Sequence, residues 1–154
     1  MKVKIITQAW LKGKGACEEA LQEWNNEKDH ETITTLQRLI KKNPSWANWL
    51  IVRVMTRPQY LRYAIYAAEE VIDIYERKYP KDKRPRKAIE AAKICLKRDS
   101  KKNHAAAHAA AYAAADAAFA AFAAADAAAF KKMQIKILNY GMKLIVPKKT
   151  KKED

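Results

Sequence analysis

Glycine and proline are scarce in this chain: its 154 residues hold three of the first and five of the second. That shortage excludes a turn-rich all-β protein and a low-complexity linker protein. Cysteine is scarcer still. Cys17 and Cys95 lack CxxC spacing, so neither a disulfide framework nor a zinc site is indicated. No phosphate-cradling glycine loop, no GxSxG elbow and no Cys–His nucleophile pair is present. Acids are also short: 17 Asp and Glu stand against 31 Lys and Arg, a formal charge of +14. The basic end is the C-terminus, which closes on Lys148, Lys149, Lys151 and Lys152. Such a balance suits nucleic acid, an anionic membrane or an acidic protein partner, and equally a solvated lysine-rich surface.

The opening Met1-Lys2-Val3-Lys4-Ile5-Ile6 has neither the long apolar run nor the cleavage site of a signal peptide. One later segment is long enough to cross a bilayer, but it carries aspartates and a histidine, each costly in hydrocarbon. The expectation is a soluble cytoplasmic protein without membrane contact.

What the chain has in abundance is helix formers. Residues 105–129 hold nineteen alanines. The exceptions are His108, Tyr112, Asp116, Phe119, Phe122 and Asp126, flanked by His104 and Phe130. Their steps of three and four residues match the ~3.6-residue turn of an α-helix, so all eight share an arc of roughly 120°. Upstream, residues 3–12 read as a short strand or a first helical turn. Amphipathic helices follow over 16–28 and 31–42. Asn43-Pro44 caps a helix to Met55, and Thr56-Arg57-Pro58 opens another to about Lys78. Pro85 starts one more, to about Arg98. The alanine helix runs on to about Gly141, with 142–146 as a frayed end or last turn. The expected fold is all-α: a compact bundle of five to seven helices around a long alanine-rich central helix. It forms one domain over 1–146, with a basic disordered tail at 147–154. The alanine face packs within the chain or on a second copy as a homodimer.

Chemistry-bearing residues concentrate in two places. On the alanine helix, His104 and His108 have the i, i+4 spacing that can chelate a metal. No glutamate lies between them and Asp116 is too far along to complete the set, so they are only a weak metal candidate and no cofactor is expected. Asp116 and Asp126 require partners if buried, since an unpaired buried charge is very costly. Arg53, Arg57 and Arg62 can supply them. The pairs then lock helix to helix or serve as a ligand-binding or acid–base pair, and Tyr112 on the same stripe is a further candidate binding residue. Ten residues separate the aspartates, about 15 Å along an axis, too far for a paired-carboxylate hydrolase. The second place is Trp46, Trp49, Tyr60, Tyr63 and Tyr66 among the same three arginines. That interleaving can stack bases, or can be core aromatics with arginines reaching outward. The three tyrosines form one helical row at steps of three.

The stretch Trp46-Ala47-Asn48-Trp49-Leu50-Ile51, then Met55-Thr56-Arg57-Pro58-Gln59-Tyr60-Leu61-Arg62-Tyr63, and later Arg84-Pro85-Arg86-Lys87-Ala88-Ile89-Glu90-Ala91-Ala92, resembles the immunity-protein-five-like family of bacteria and their phages. The likeness spans about residues 10–145. It implies a small helical, non-catalytic protein that binds and neutralises a toxin or, if phage-encoded, a host defence protein. It assigns no site residue. Inhibitors that cover a basic nuclease site are often acidic, and +14 has the wrong sign for that, so the implied partner is acidic. A nucleic-acid-binding accessory role for the basic surface is the alternative.

Overall fold

A computed structural model describes residues 4–97 and 127–146. These residues form seven helices: α1 (Gln8–Gly13), α2 (Glu18–Asn25), α3 (Thr32–Lys42), α4 (Pro44–Val54), α5 (Arg57–Lys78), α6 (Arg84–Lys97) and α7 (Ala127–Ile145). Among the described residues the protein is all-α. The expected alanine-rich central helix falls mainly on residues outside them, as does the tail.

Local chemistry sets the boundaries. The chain ahead of α1 is extended and lies against the start of α3, where Ile6 N–H donates to His30 C=O and Thr32 N–H to Lys4 C=O. Residues 3–12 thus split between a lone bridge at Ile5 and a short helix. Gly15, at φ +74°, closes α1. Its N–H bonds Lys12 C=O and that of Ala16 bonds Leu11 C=O, the paired closure that needs a left-handed residue and so favours glycine. The Asn43 side chain accepts from Trp46 N–H at 3.2 Å, and Pro44 fills the first turn where its missing N–H costs nothing. At the start of α5, Gln59 Oε1 accepts from Thr56 N–H at 2.8 Å, while Gln59 Nε2 donates to Leu144 C=O at 2.7 Å. One side chain therefore caps the N-terminus of α5 and the C-terminus of α7.

The main core lies where α3, α4, α5 and α7 meet. Leu36, Ile51, Val54 and Leu138 are almost wholly buried there. Burying each such side chain contributes about 1.5–3 kcal/mol. The last turn of α7 belongs to this core: Met142 and Ile145 are buried, so 142–145 is a packed end, not a frayed one. The α5–α7 face adds the stacked rings of Tyr66 and Tyr140, 4.0 Å apart, and an ion pair from Lys136 to Glu70.

A second, smaller apolar cluster joins α5 to α6 through Ile65, Ile72 and Ile89. Ion pairs flank it: Arg86 with Glu76 at 2.6 Å and Lys93 with Glu69 at 2.9 Å. The connecting turn is tied by Asp82, which accepts from the Arg84 guanidinium, the Tyr75 hydroxyl and Arg84 N–H. Those donors, Arg84 first, hold the Asp82 carboxyl well below the usual carboxylate range, and Arg86 lowers Glu76 in the same way. A depressed folded value means stability that is present above the unfolded carboxylate pKa of ~4 and lost as pH falls beneath it. Acid titration of the wild type by circular dichroism should therefore show the α5–α6 hairpin weakening below about pH 4. Asp82→Asn should lessen that dependence, and an unchanged profile would disprove the assignment.

Candidate functional site

The hairpin of α1 and α2 does not close fully on α3 and α4. A cavity of about 300 Å³ remains between them. Its walls are aliphatic at Leu11, Ala20, Leu39 and Leu50, and aromatic at Trp24, Trp46 and Trp49. The sequence places these rings here for separable reasons. Trp46 and Trp49 follow the Asn43-Pro44 start by fixed steps, so α4 presents both to the cavity with Leu50. Trp24 is held by its indole N–H on Ile6 C=O at 3.3 Å and by stacking on His30 at 4.0 Å. The closure at Gly15 turns the chain so that Ala16 and the exposed Cys17 form part of the wall. Thr35 sits on the buried stripe of α3, and its hydroxyl oxygen has no partner.

Charge gathers around this opening. Arg38 and Glu23 line it. Arg38 Nε lies 3.1 Å from Glu27, and Lys42 Nζ lies 2.6 Å from Glu23. Arg38 and Lys42 also line an adjoining open basin with Thr34, Gln37 and Lys41. Lys41 is exposed. Arg53 lies over the ring of the wall residue Trp49 at 3.9 Å and donates to Trp49 C=O at 2.8 Å. A cation held on an indole face gains about 0.5–2 kcal/mol. Burial lowers the Arg53 pKa from its ordinary value, but a guanidinium remains charged at neutral pH. Glu23 and Glu27 are engaged by Lys42 and Arg38, and among the described residues Lys41 and Arg53 form no ion pair. The arrangement can bind an apolar group beside negative charge. Among the described residues no group of three His, Cys, Asp or Glu is placed to hold a metal.

Of the residues expected from sequence, Arg53 lies over the ring of the wall residue Trp49. Arg57 and Arg62 are exposed on the first turns of α5. Tyr112, Asp116, Asp126, His104 and His108 lie outside the described residues. The tyrosine row does not stay in one environment: Tyr60 is 39% exposed, Tyr63 is 4% exposed and Tyr66 is half-buried on Tyr140. Steps of three advance about 300°, so the row drifts by roughly 60° at each step. Buried Tyr63 donates to Asn48 Oδ1 at 2.6 Å, and its burial pushes the phenol pKa upward. Sequence reasoning missed the cavity. One signal was available: Thr35 occupies an apolar-stripe position on α3, where a closed core would favour an aliphatic.

The described residues thus form a helical bundle with an indole-lined opening. Residues 51–154 match the family described as "Imm-5 like putative immunity protein", and the chain belongs to that family. The match begins after the cavity-lining residues, which lie between Ile6 and Leu50. No curated protein and no solved structure matches the chain. Among the described residues no helix is long and apolar enough to cross a membrane.

Proposed function

We propose that this protein is a non-catalytic inhibitor of the immunity or counter-defence type, acting in the cytoplasm as one helical domain on an acidic toxin or defence protein. The observation that carries this reading is the family membership over residues 51–154. The charge of +14 supports an acidic partner, because complementary potentials speed encounter and reject wrong partners. Arg53, Arg57 and Arg62 are the described residues we assign to the contact surface. The test is co-expression with the protein encoded by the adjacent gene, read as growth rescue, followed by titration of the two purified proteins. Rescue and a one-to-one complex are expected. No rescue and no complex would sink the reading.

A second reading draws on α7, where Lys132, Lys136 and Lys143 are exposed at spacings of four and seven. A nucleic-acid-binding accessory protein would show log affinity for DNA or RNA falling with log salt by about 0.7–0.9 per neutralised phosphate. That slope, without a protein complex, favours the second reading over the first.

A further inference from the structure

We propose that the cavity between the α1–α2 hairpin and α3–α4 receives a single aromatic side chain projected by the acidic partner, whose carboxylates then meet Lys41 and Arg53. This rests on the reading of the protein as an inhibitor with an acidic partner, and adds where and how it is gripped. Three observations converge. The volume of about 300 Å³ is at the lower end for small-molecule pockets, which suits one ring rather than a cofactor. Trp24, Trp46 and Trp49 offer ring edges and faces, against which an aromatic guest gains more than area burial alone. Lys41 lines the basin that shares Arg38 with the cavity, and Arg53 lies over the ring of the wall residue Trp49, so an acidic segment running from the cavity over either one meets a cation. Deeply buried aromatic anchors ringed by polar contacts are where binding energy concentrates in interfaces.

The wall also supplies the test. Ala20 lines the cavity, and Ala20→Leu fills part of it without adding a polar group. Cys17 lines it and is exposed, whereas Cys95 is buried, so in the native protein an aqueous thiol reagent reads Cys17. The probe is a capped pentapeptide with tryptophan at its centre and two aspartates on each side. Controls carry alanine at the centre, or lysines in place of the aspartates. Binding is followed on the full chain by the indole N–H resonances, with Trp10, which is absent from the cavity wall, as internal reference.

The aspartate–tryptophan peptide is expected to shift the Trp46 and Trp49 signals and to slow Cys17 alkylation. The alanine and lysine controls should bind at least about tenfold more weakly. Ala20→Leu should lose the response while the remaining spectrum keeps its dispersion, and Trp49→Phe should weaken it. Equal shifts from the alanine peptide, or an undiminished response in Ala20→Leu, would overturn the anchor. Equal binding of the lysine peptide would overturn the acidic partner at this site. The two levels separate cleanly. A partner bound equally by wild type and Ala20→Leu removes the cavity and leaves the inhibitor. Peptide binding without any protein partner removes the inhibitor and leaves the cavity.

Discussion

Gly141→Ala is expected to lower the stability of this protein by about 1–3 kcal/mol. The sign is the point. Inside a helix, alanine is ordinarily favoured over glycine by roughly 0.5–1 kcal/mol. Gly141 lies in the interior of α7, yet a Cβ there would meet Ile51 Cδ1 at 2.7 Å and Tyr63 Cε2 at 2.7 Å. Neither neighbour can yield freely. Ile51 is fully buried on α4. The Tyr63 ring is pinned on α5 by its hydrogen bond to Asn48. The missing side chain is what lets α7 settle between α4 and α5, so a methyl must push helices apart or force rings off their rotamers. A double-mutant cycle tests this directly. Ile51→Val removes Cδ1, so Gly141→Ala should cost less in that background than in wild type. Chemical denaturation of the four proteins decides it. A neutral or stabilising Gly141→Ala, or strict additivity, would refute the account.

That close approach shows what could and could not be read from the chain. Helix starts were legible because their signals are local. Asn43-Pro44 and Thr56-Arg57-Pro58 specify caps within three residues, and the structure begins α4 and α5 there. The all-α class was legible for the same reason. The role of Gly141 was not, because it depends on Ile51 and Tyr63 arriving from other helices. The cavity escaped for a related reason. Whether Trp46 and Trp49 finish a core or line an opening depends on how nearly the α1–α2 hairpin closes on α4. No periodicity in α4 encodes that distance. Arg53 stands in sequence among aromatics at helical spacing, and its place over Trp49 follows from an i, i+4 step. Arg57 and Arg62 share the composition but sit exposed on α5, so composition alone did not separate them.

The division of the apolar interior into two clusters has an energetic consequence. Leu36→Ala is expected to cost about 2–5 kcal/mol, the range for a leucine emptied from a well-packed core. Leu36 is fully buried at the centre of the main cluster, which α1, α2, α3, α4, α5 and α7 all enter, so its loss is felt wherever those helices touch. Ile89→Ala deletes as much hydrocarbon, but from a cluster that among the described residues joins only α5 and α6. Among the described residues its neighbours are fewer, and its flanking ion pairs are exposed, where each contributes about 0–1 kcal/mol. Among the described residues helix α6 packs chiefly on α5, so it can open without taking the main core with it. Native-state hydrogen exchange separates the two substitutions. Leu36→Ala should reduce the protection of the slowest amides in α3, α4 and α7 together. Ile89→Ala should speed exchange across α6 while leaving those amides close to wild type. Added salt should deepen that second effect by screening the Arg86 and Lys93 pairs, and leave the first nearly unchanged. Equal loss of protection in α4 and α7 from both variants would mean that the hairpin and the main core unfold as one unit, and that the satellite cluster is energetically part of the centre.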